Sequence, residues 1–504
     1  MEKKLIVLGF DGATFDLIEP FEKEGILPNF SHVLNKGVSA SLQSVIPPVS
    51  APAWTSIVTG TNPGKHNIYG FTDGKGRVVN STFRKSEAIW NILDKHKKRS
   101  IVINLPVTYP PEKIHGKIYS GVLDPEEKGY RGRFQIDKEA FIEKKKALKK
   151  MFHWEKAKTE KALEILQKEE WNLFFILYFL SDFVPTIYWK YMDKTHPQHS
   201  YDEVLSNAVK DAYILLDTFL GKFLSAIDEN TNVVVVSDHG IGPSKMVLNI
   251  NEWMRRAKFL SVKMGTYEKA VSPDKVAQVV DSLSFLKKIV ALLPDSLLKR
   301  AYKLVFSRSR NMLSRMDKHT SQAYAYSHAH FASVWLLDHD EKILSAIEEK
   351  IKELKDPKTG EKIITRTYRQ DSLFHGDWVD NAPDLIVEAV PYCSIRSQRM
   401  GTLFSEPLQS GDHRMNGIFI AYGPDVINKE RTNISIFDVC PSLLALLDVP
   451  VPAHMDGTAV DMFPEGYKVK LESAESTREA PEQFYTEEEE EKIKKRLSAL
   501  GYFD

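Results

Sequence analysis

Asp11, Asp182 and Asp238 occupy the same kind of place in the sequence. Each follows a short apolar run: LIVLGFDG, FFILYFLSD and NVVVVSDHG. A carboxylate just past such a run falls at a strand's carboxyl end, where open α/β sheets gather their ligands. Taken singly, each reads as a helix cap or a turn residue. Together, with His239 directly after Asp238, they make a donor set suited to a hard divalent cation. Ser50 opens SAPAWTSIVTG, in which Pro52 suits the first turn of a helix and Gly60 its end. Ser50 then stands at or next to the N-cap. It either caps the helix, or lies where free N–H groups and the dipole attract an anion such as phosphate. A serine there, with a metal beside it, can act as an alkoxide nucleophile. His413, in SGDHRMNG, precedes another apolar run and alone reads as structural.

The elements that must place these residues are legible as runs rich in β-branched residues at 5–8, 100–105, 172–180, 232–236 and 418–422. They alternate with helical patterns. The sequence therefore predicts an α/β fold with a mainly parallel central sheet and helices on both faces. The clearest helix spans 205–227, with Val209, Ala212, Leu216, Phe219, Leu220 and Phe223 on one apolar face; another covers about 340–354. Residues 256–318 are basic and read as short amphipathic helices broken at Pro294, a helical insertion on the core or a cap over the site. Its 285–306 stretch is the part suited to touching a membrane surface. The expected organisation is a core of 1–255 with 319–464, the 256–318 insertion, and a charged tail at 465–504. Within that tail an acidic block at 487–491 leads into Lys and Arg, a charge order that suits one short surface helix.

Composition narrows the classes. Lys plus Arg equals Asp plus Glu at 68 each, so no global field marks a nucleic-acid binder. With Cys393 and Cys440 the only cysteines, a disulfide framework and a thiolate zinc site are both excluded. The first apolar run is about five residues, shorter than the roughly seven to fifteen of a secretory core, and no run approaches the ~20 of a bilayer span. A cytoplasmic protein is expected.

Taken in order, LGFDG, PPVSAPAWTSIVTGTNPGKH, YFLSD, SDHG and SGDHRMNG resemble the alkaline phosphatase superfamily, and within it the type I phosphodiesterase and nucleotide pyrophosphatase branch. The likeness runs from Leu5 to about Asp461 and includes APDLIV and DVPVPAHMDG. It implies two divalent metal ions, expected as zinc with manganese the alternative. By position, Asp11, Ser50, Asp238 and His239 match the ligands of one metal, and Asp182 and His413 those of the second. Ser50 stands where the branch commonly has a threonine nucleophile. The implied activity is metal-dependent phosphoryl hydrolysis of a small phosphorylated substrate through a covalent Ser50 intermediate.

One position departs from the pattern. The family places a His four residues after the second aspartate, and this chain has Thr186 there, preceded by Pro185. A hydroxyl is a poor substitute for imidazole on zinc, so the second site is expected to be weak. His196, His199, or His328 with His330 on one strand face are the alternative donors. Three other readings follow from the same motifs. A non-catalytic phosphate-ligand binder would keep the fold and lose the second metal, and a phosphomutase would pass the phosphoryl group to another acceptor. A sulfatase would need Arg where SAPAW has Trp54. Trp54, Tyr69 and Tyr109 are the aromatic candidates for the substrate pocket's walls.

Overall fold

The computed structural model describes residues 2–125, 144–263, 316–397, 401–473 and 482–500. These form two compact units, one of 1–243, 371–382 and 409–503, the other of 244–370 and 383–408. Residues 244–255 and most of 319–408, read from the sequence as part of a single core, thus cluster in the second unit.

The first unit is built on an eight-stranded sheet. Its strands β1 (Lys4–Phe10), β5 (Leu173–Tyr178) and β6 (Thr231–Val236) are buried along nearly their whole length. A strand hidden on both faces needs apolar side chains at every position, which is why these segments read as unbroken apolar runs. Around them come β2 (Val38–Gln43), β3 (Ser100–Ile103) and β4 (Gly116–Tyr119), together with Asn416–Tyr422 and Lys429–Ser435. The spatial order is Lys429–Ser435, β2, Asn416–Tyr422, β6, β1, β5, β3, β4. Every pairing is parallel except the two made by Asn416–Tyr422, which runs against β2 on one side and β6 on the other. The 208–226 helix buries Val209, Ala212, Leu216, Phe219, Leu220 and Phe223, the apolar face expected from its spacing. With β1 paired directly to both β5 and β6, the loops after these strands open side by side.

The Ser50–Thr59 helix is buried throughout and ends at Gly60, whose φ of 65° lies in the left-handed region that suits glycine. It is tied from below by His66. The Ile68 N–H donates to His66 Nδ1 at 3.1 Å, which places the imidazole proton on Nε2, 2.9 Å from Ser56 Oγ. Burial, helped by the Arg84 charge, holds His66 down at about 3 against an ordinary value of 6.5. The unfolded chain therefore binds this proton between about pH 6.5 and 3 while the folded chain does not, and stability falls as pH drops through that window. The slope is at most about 1.4 kcal/mol per pH unit, or roughly 2 kcal/mol between pH 6.5 and 5. Denaturant unfolding of wild type and His66→Gln at pH 7 and pH 5 checks this: the variant should show the shallower loss.

The second unit carries a four-stranded antiparallel sheet in the order Ile364–Arg369, Leu385–Ala389, Phe331–Leu336, Ala323–His328. Its core includes Ile347 and Ile351 of the Glu341–Ile351 helix, packed with Val334, Leu385 and Val387. His328 ends a strand, and Ala329, at φ 56°, turns the chain before Phe331 begins the next. His328 and His330 thus do not share a strand face, contrary to expectation.

Cys393 and Cys440 are both buried thiols without a disulfide. Most of the expected insertion, with its 285–306 stretch, lies outside the described residues. Among those described, no helix is long and apolar enough to cross a membrane. The expected terminal helix runs Glu487–Leu500 and docks through Ile493 and Leu497 onto a cluster containing Phe71, Val78 and Phe83. Tyr109 is taken up there too, stacked on Tyr485 at 5.9 Å.

Candidate metal and phosphoryl-transfer site

Three loops and one helix start bring the expected residues together in the first unit. Asp11 directly follows β1, Asp182 lies in the first turn of the Leu180–Met192 helix just after β5, and Asp238 and His239 follow β6. The loops brace one another. Ser181 Oγ donates to the Asp11 carbonyl at 2.7 Å, and the Gly12 N–H donates to Asp238 Oδ1 at 3.3 Å. Gly12 has φ 71°, and a Cβ on it would meet Asp182 Cβ at 2.9 Å, so only glycine lets the two loops close. His413 arrives on a short ribbon, with Gly411–Arg414 running antiparallel to β7 (Gly240–Pro243) and His413 opposite Ile241. That ribbon stacks the His239 and His413 rings 3.8 Å apart at 18°.

Ser50 is the first residue of its helix, while the N-cap is Val49, so the capping role weighed from the sequence is not its role. Its hydroxyl instead faces Asp11 Oδ1 and His239 Nε2, each at 3.4 Å. His239 Nδ1 lies 2.9 Å from the Gly240 carbonyl and His413 Nδ1 2.9 Å from that of Pro48. Donation to those carbonyls fixes both tautomers, with Nε2 turned toward the carboxylates, the arrangement that orients imidazole for a cation. The donor atoms form two groups, Asp11–Asp238–His239 and Asp182–His239–His413, and within each they lie within 4.8 Å of one another.

These groups are poorly satisfied as they stand. Asp182 Oδ1 and Asp238 Oδ2 are buried and have no hydrogen-bond partner among the described residues; an imidazole Nε2 lies 3.4 Å from each. Burial pushes Asp11 well above the usual carboxylate range, and the charges of Asp238 and Asp182 push it further. Burial likewise lifts Asp238 to about 7. His239 is driven well below its ordinary value by burial and by the charge of His413. Burial alone would lower His413 too, but the Asp182 carboxylate holds it up at about 9. Buried like charges with orphaned oxygens are costly, and a divalent cation removes that cost. The residues present therefore fit one.

Sequence reasoning placed Trp54 among the pocket walls and missed its role beside Asp11. Its indole is buried and donates to Asp11 Oδ2 at 2.8 Å, so it orients a carboxylate and is not a pocket wall. Its position four residues after Ser50 was the available signal, because that spacing returns to the same helix face. Tyr69 is also engaged within the fold, donating to the Trp378 carbonyl at 2.7 Å. His196, His199, His328 and His330 belong to neither donor group. Thr186 follows Asp182 by one helical turn; the helix continues through Pro185, and the Thr186 hydroxyl is buried without a hydrogen bond among the described residues.

Comparison with known proteins gives a concordant picture. Residues 5–417 match the family described as type I phosphodiesterase / nucleotide pyrophosphatase. No curated protein matches the sequence. Among solved structures, murine ectonucleotide pyrophosphatase/phosphodiesterase 5 superposes with a TM-score of 0.56 at 14% identity, covering 90% of this chain and 98% of that one. An inactive variant of the same murine protein in complex with AMP gives 0.56 at 15%, covering 91% and 98%. Phosphonoacetate hydrolase from Sinorhizobium meliloti 1021, in complex with phosphonoformate, gives 0.53 at 14%, covering 89% and 96%. At these identities the likeness establishes a shared fold.

Proposed function

Because the chain belongs to the type I phosphodiesterase / nucleotide pyrophosphatase family, we propose that it is a divalent-metal-dependent hydrolase of small phosphodiesters or nucleotide pyrophosphates, with Ser50 as nucleophile. The observation that carries this is the setting of Ser50: a buried hydroxyl at a helix start, 3.4 Å from Asp11 Oδ1 and from His239 Nε2. Divalent cations, held by Asp11, Ser50, Asp238 and His239 at one position and by Asp182 and His413 at the other, would acidify the serine and neutralise the phosphoryl oxygens.

The chain's own groups account for the rest. The start of the Ser50–Thr59 helix presents N–H groups that the helix ladder leaves open, and these receive the phosphoryl oxygens. With Asp11 and His239 committed as ligands, the Ser50 proton leaves to solvent water. Oγ then bonds phosphorus as the bond to the leaving oxygen breaks, giving phosphorylated Ser50. Water attacks that phosphorus next, the Oγ–P bond breaks, and Ser50 recovers its proton. Trp54 holds Asp11 in place throughout. The AMP complex of a protein with this fold supports a nucleotide-bearing substrate.

A sulfatase reading loses ground because the residue standing where Arg is needed, Trp54, is buried and committed to Asp11. The reading as a non-catalytic phosphate binder rests on Thr186. A panel of nitrophenyl esters (a bis-ester of phosphate, a thymidine diester, a phosphate monoester and a sulfate ester), assayed with added zinc or manganese, tests the proposal. The diesters should exceed the sulfate ester in kcat/KM by at least roughly a hundredfold. Equal rates on the sulfate ester would sink it.

A further inference from the structure

The Thr186 hydroxyl differs from several other helical hydroxyls of this chain, which all find a partner. Thr55, Thr59, Thr159, Thr218 and Ser225 each donate to the carbonyl four residues back, at 2.7–2.9 Å. That bond is the default resting place of a helical threonine hydroxyl. Thr186 forgoes it: Oγ1 is buried, the residue is 7% exposed, and the atom has no hydrogen-bond partner among the described residues. A buried hydroxyl left this way keeps its desolvation cost uncompensated. One helical turn earlier on the same face, Asp182 carries its own orphaned oxygen. The strand that delivers His413 is fastened at this point: the Ser410 N–H donates to the Thr186 carbonyl at 3.0 Å, and a Cβ on Gly411 would lie 3.1 Å from Thr186 Cα.

Building on the function proposed above, we infer that Thr186 supplies a hydroxyl oxygen to the second cation and that this position favours zinc over manganese far less than an imidazole ligand there would. The donors there become one carboxylate, one hydroxyl and one imidazole. Exchanging an imidazole for a neutral oxygen weakens a site for zinc, which favours nitrogen and sulfur, and leaves it acceptable to manganese, which takes oxygen and water readily. The departure from the family pattern is then a loosened ion selectivity and not a loss of the site.

The test uses the full chain, stripped by chelator and loaded with one equivalent of zinc. Manganese is titrated in, with bound and free ion separated by electron paramagnetic resonance and zinc counted by elemental analysis. Wild type should take one manganese into the second position. Thr186→Val, which keeps the shape and removes the oxygen, should lose at least about tenfold in manganese affinity while retaining the first zinc. Thr186→His should raise the affinity for a second zinc, relative to manganese, by at least about tenfold. Unchanged manganese affinity in Thr186→Val, or two zinc ions bound equally tightly by wild type, would overturn the inference while leaving the hydrolase reading standing. Failure of wild type to bind either ion would overturn both.

Discussion

Ser50→Ala should lower kcat on a diester substrate by roughly a thousandfold or more, while leaving KM and the unfolding midpoint close to wild type. The size follows from what is removed. The hydroxyl is the only atom expected to bond phosphorus, and activity that survives loss of a nucleophile comes from binding and electrostatics alone. The fold should tolerate the change. Val49, not Ser50, holds the N-cap position, and even loss of a capping serine costs only about 1 kcal/mol. The remaining donors, Asp11, Asp238, His239, Asp182 and His413, are untouched, so metal content should persist. Wild-type turnover in the variant at saturating metal would remove Ser50 from the mechanism. Loss of turnover together with loss of metal would mean that the serine matters chiefly as a ligand.

Removal of divalent cations should abolish turnover and lower thermal stability together, and re-addition should restore both. Without a cation, Asp11 and Asp238 repel each other at the bottom of a buried crevice, and oxygens of Asp182 and Asp238 go without hydrogen bonds. A cation at a hundred times its dissociation constant stabilises the folded state by about 2.7 kcal/mol, worth several degrees in Tm for a unit of this size. Calorimetric scans and diester assays on chelator-treated protein, with zinc and manganese returned singly and together, measure the two effects. Stabilisation without recovered turnover would identify a phosphate-ligand binder that kept the metal and lost the chemistry. No change in either quantity would show that the carboxylate cluster has another purpose.

Much of this arrangement could be read before the structure, for definable reasons. β1, β5 and β6 are covered on both faces and so announce themselves as apolar runs, and a carboxylate just past such a run has few places to go. β2 was missed because VSASLQ is rich in small polar residues; it is a strand through its neighbours, Asn416–Tyr422 and Lys429–Ser435, more than through propensity. The ribbon behind the two histidines was equally hidden. Neither GIGP nor GDHR resembles a strand, yet glycines at Gly240 and Gly411 let the segments approach neighbouring backbone that a Cβ would strike. Trp54 was read as a missing arginine and as a candidate pocket wall, and not as a carboxylate's partner, since that partner is 43 positions away. The orphaned Thr186 hydroxyl is a property of rotamer and surroundings, which residue type alone does not carry.

The lone antiparallel strand, Asn416–Tyr422, fills the middle of the main sheet between β2 and β6. During biosynthesis its two neighbours are complete long before it exists. From Val236 to Tyr422 is 186 residues, on the order of 10–40 s of translation at 5–20 residues per second. Throughout that interval a nascent chain holds one five-stranded piece of sheet whose β6 edge is open, and β2 without either of its sheet partners. The segment that closes the gap also delivers His413 immediately before it. Filling the gap between β2 and β6 and completing the donor set are therefore a single late event, and a ribosome-bound chain that has reached only β7 carries Asp11, Ser50, Asp182, Asp238 and His239 without the last piece of the site.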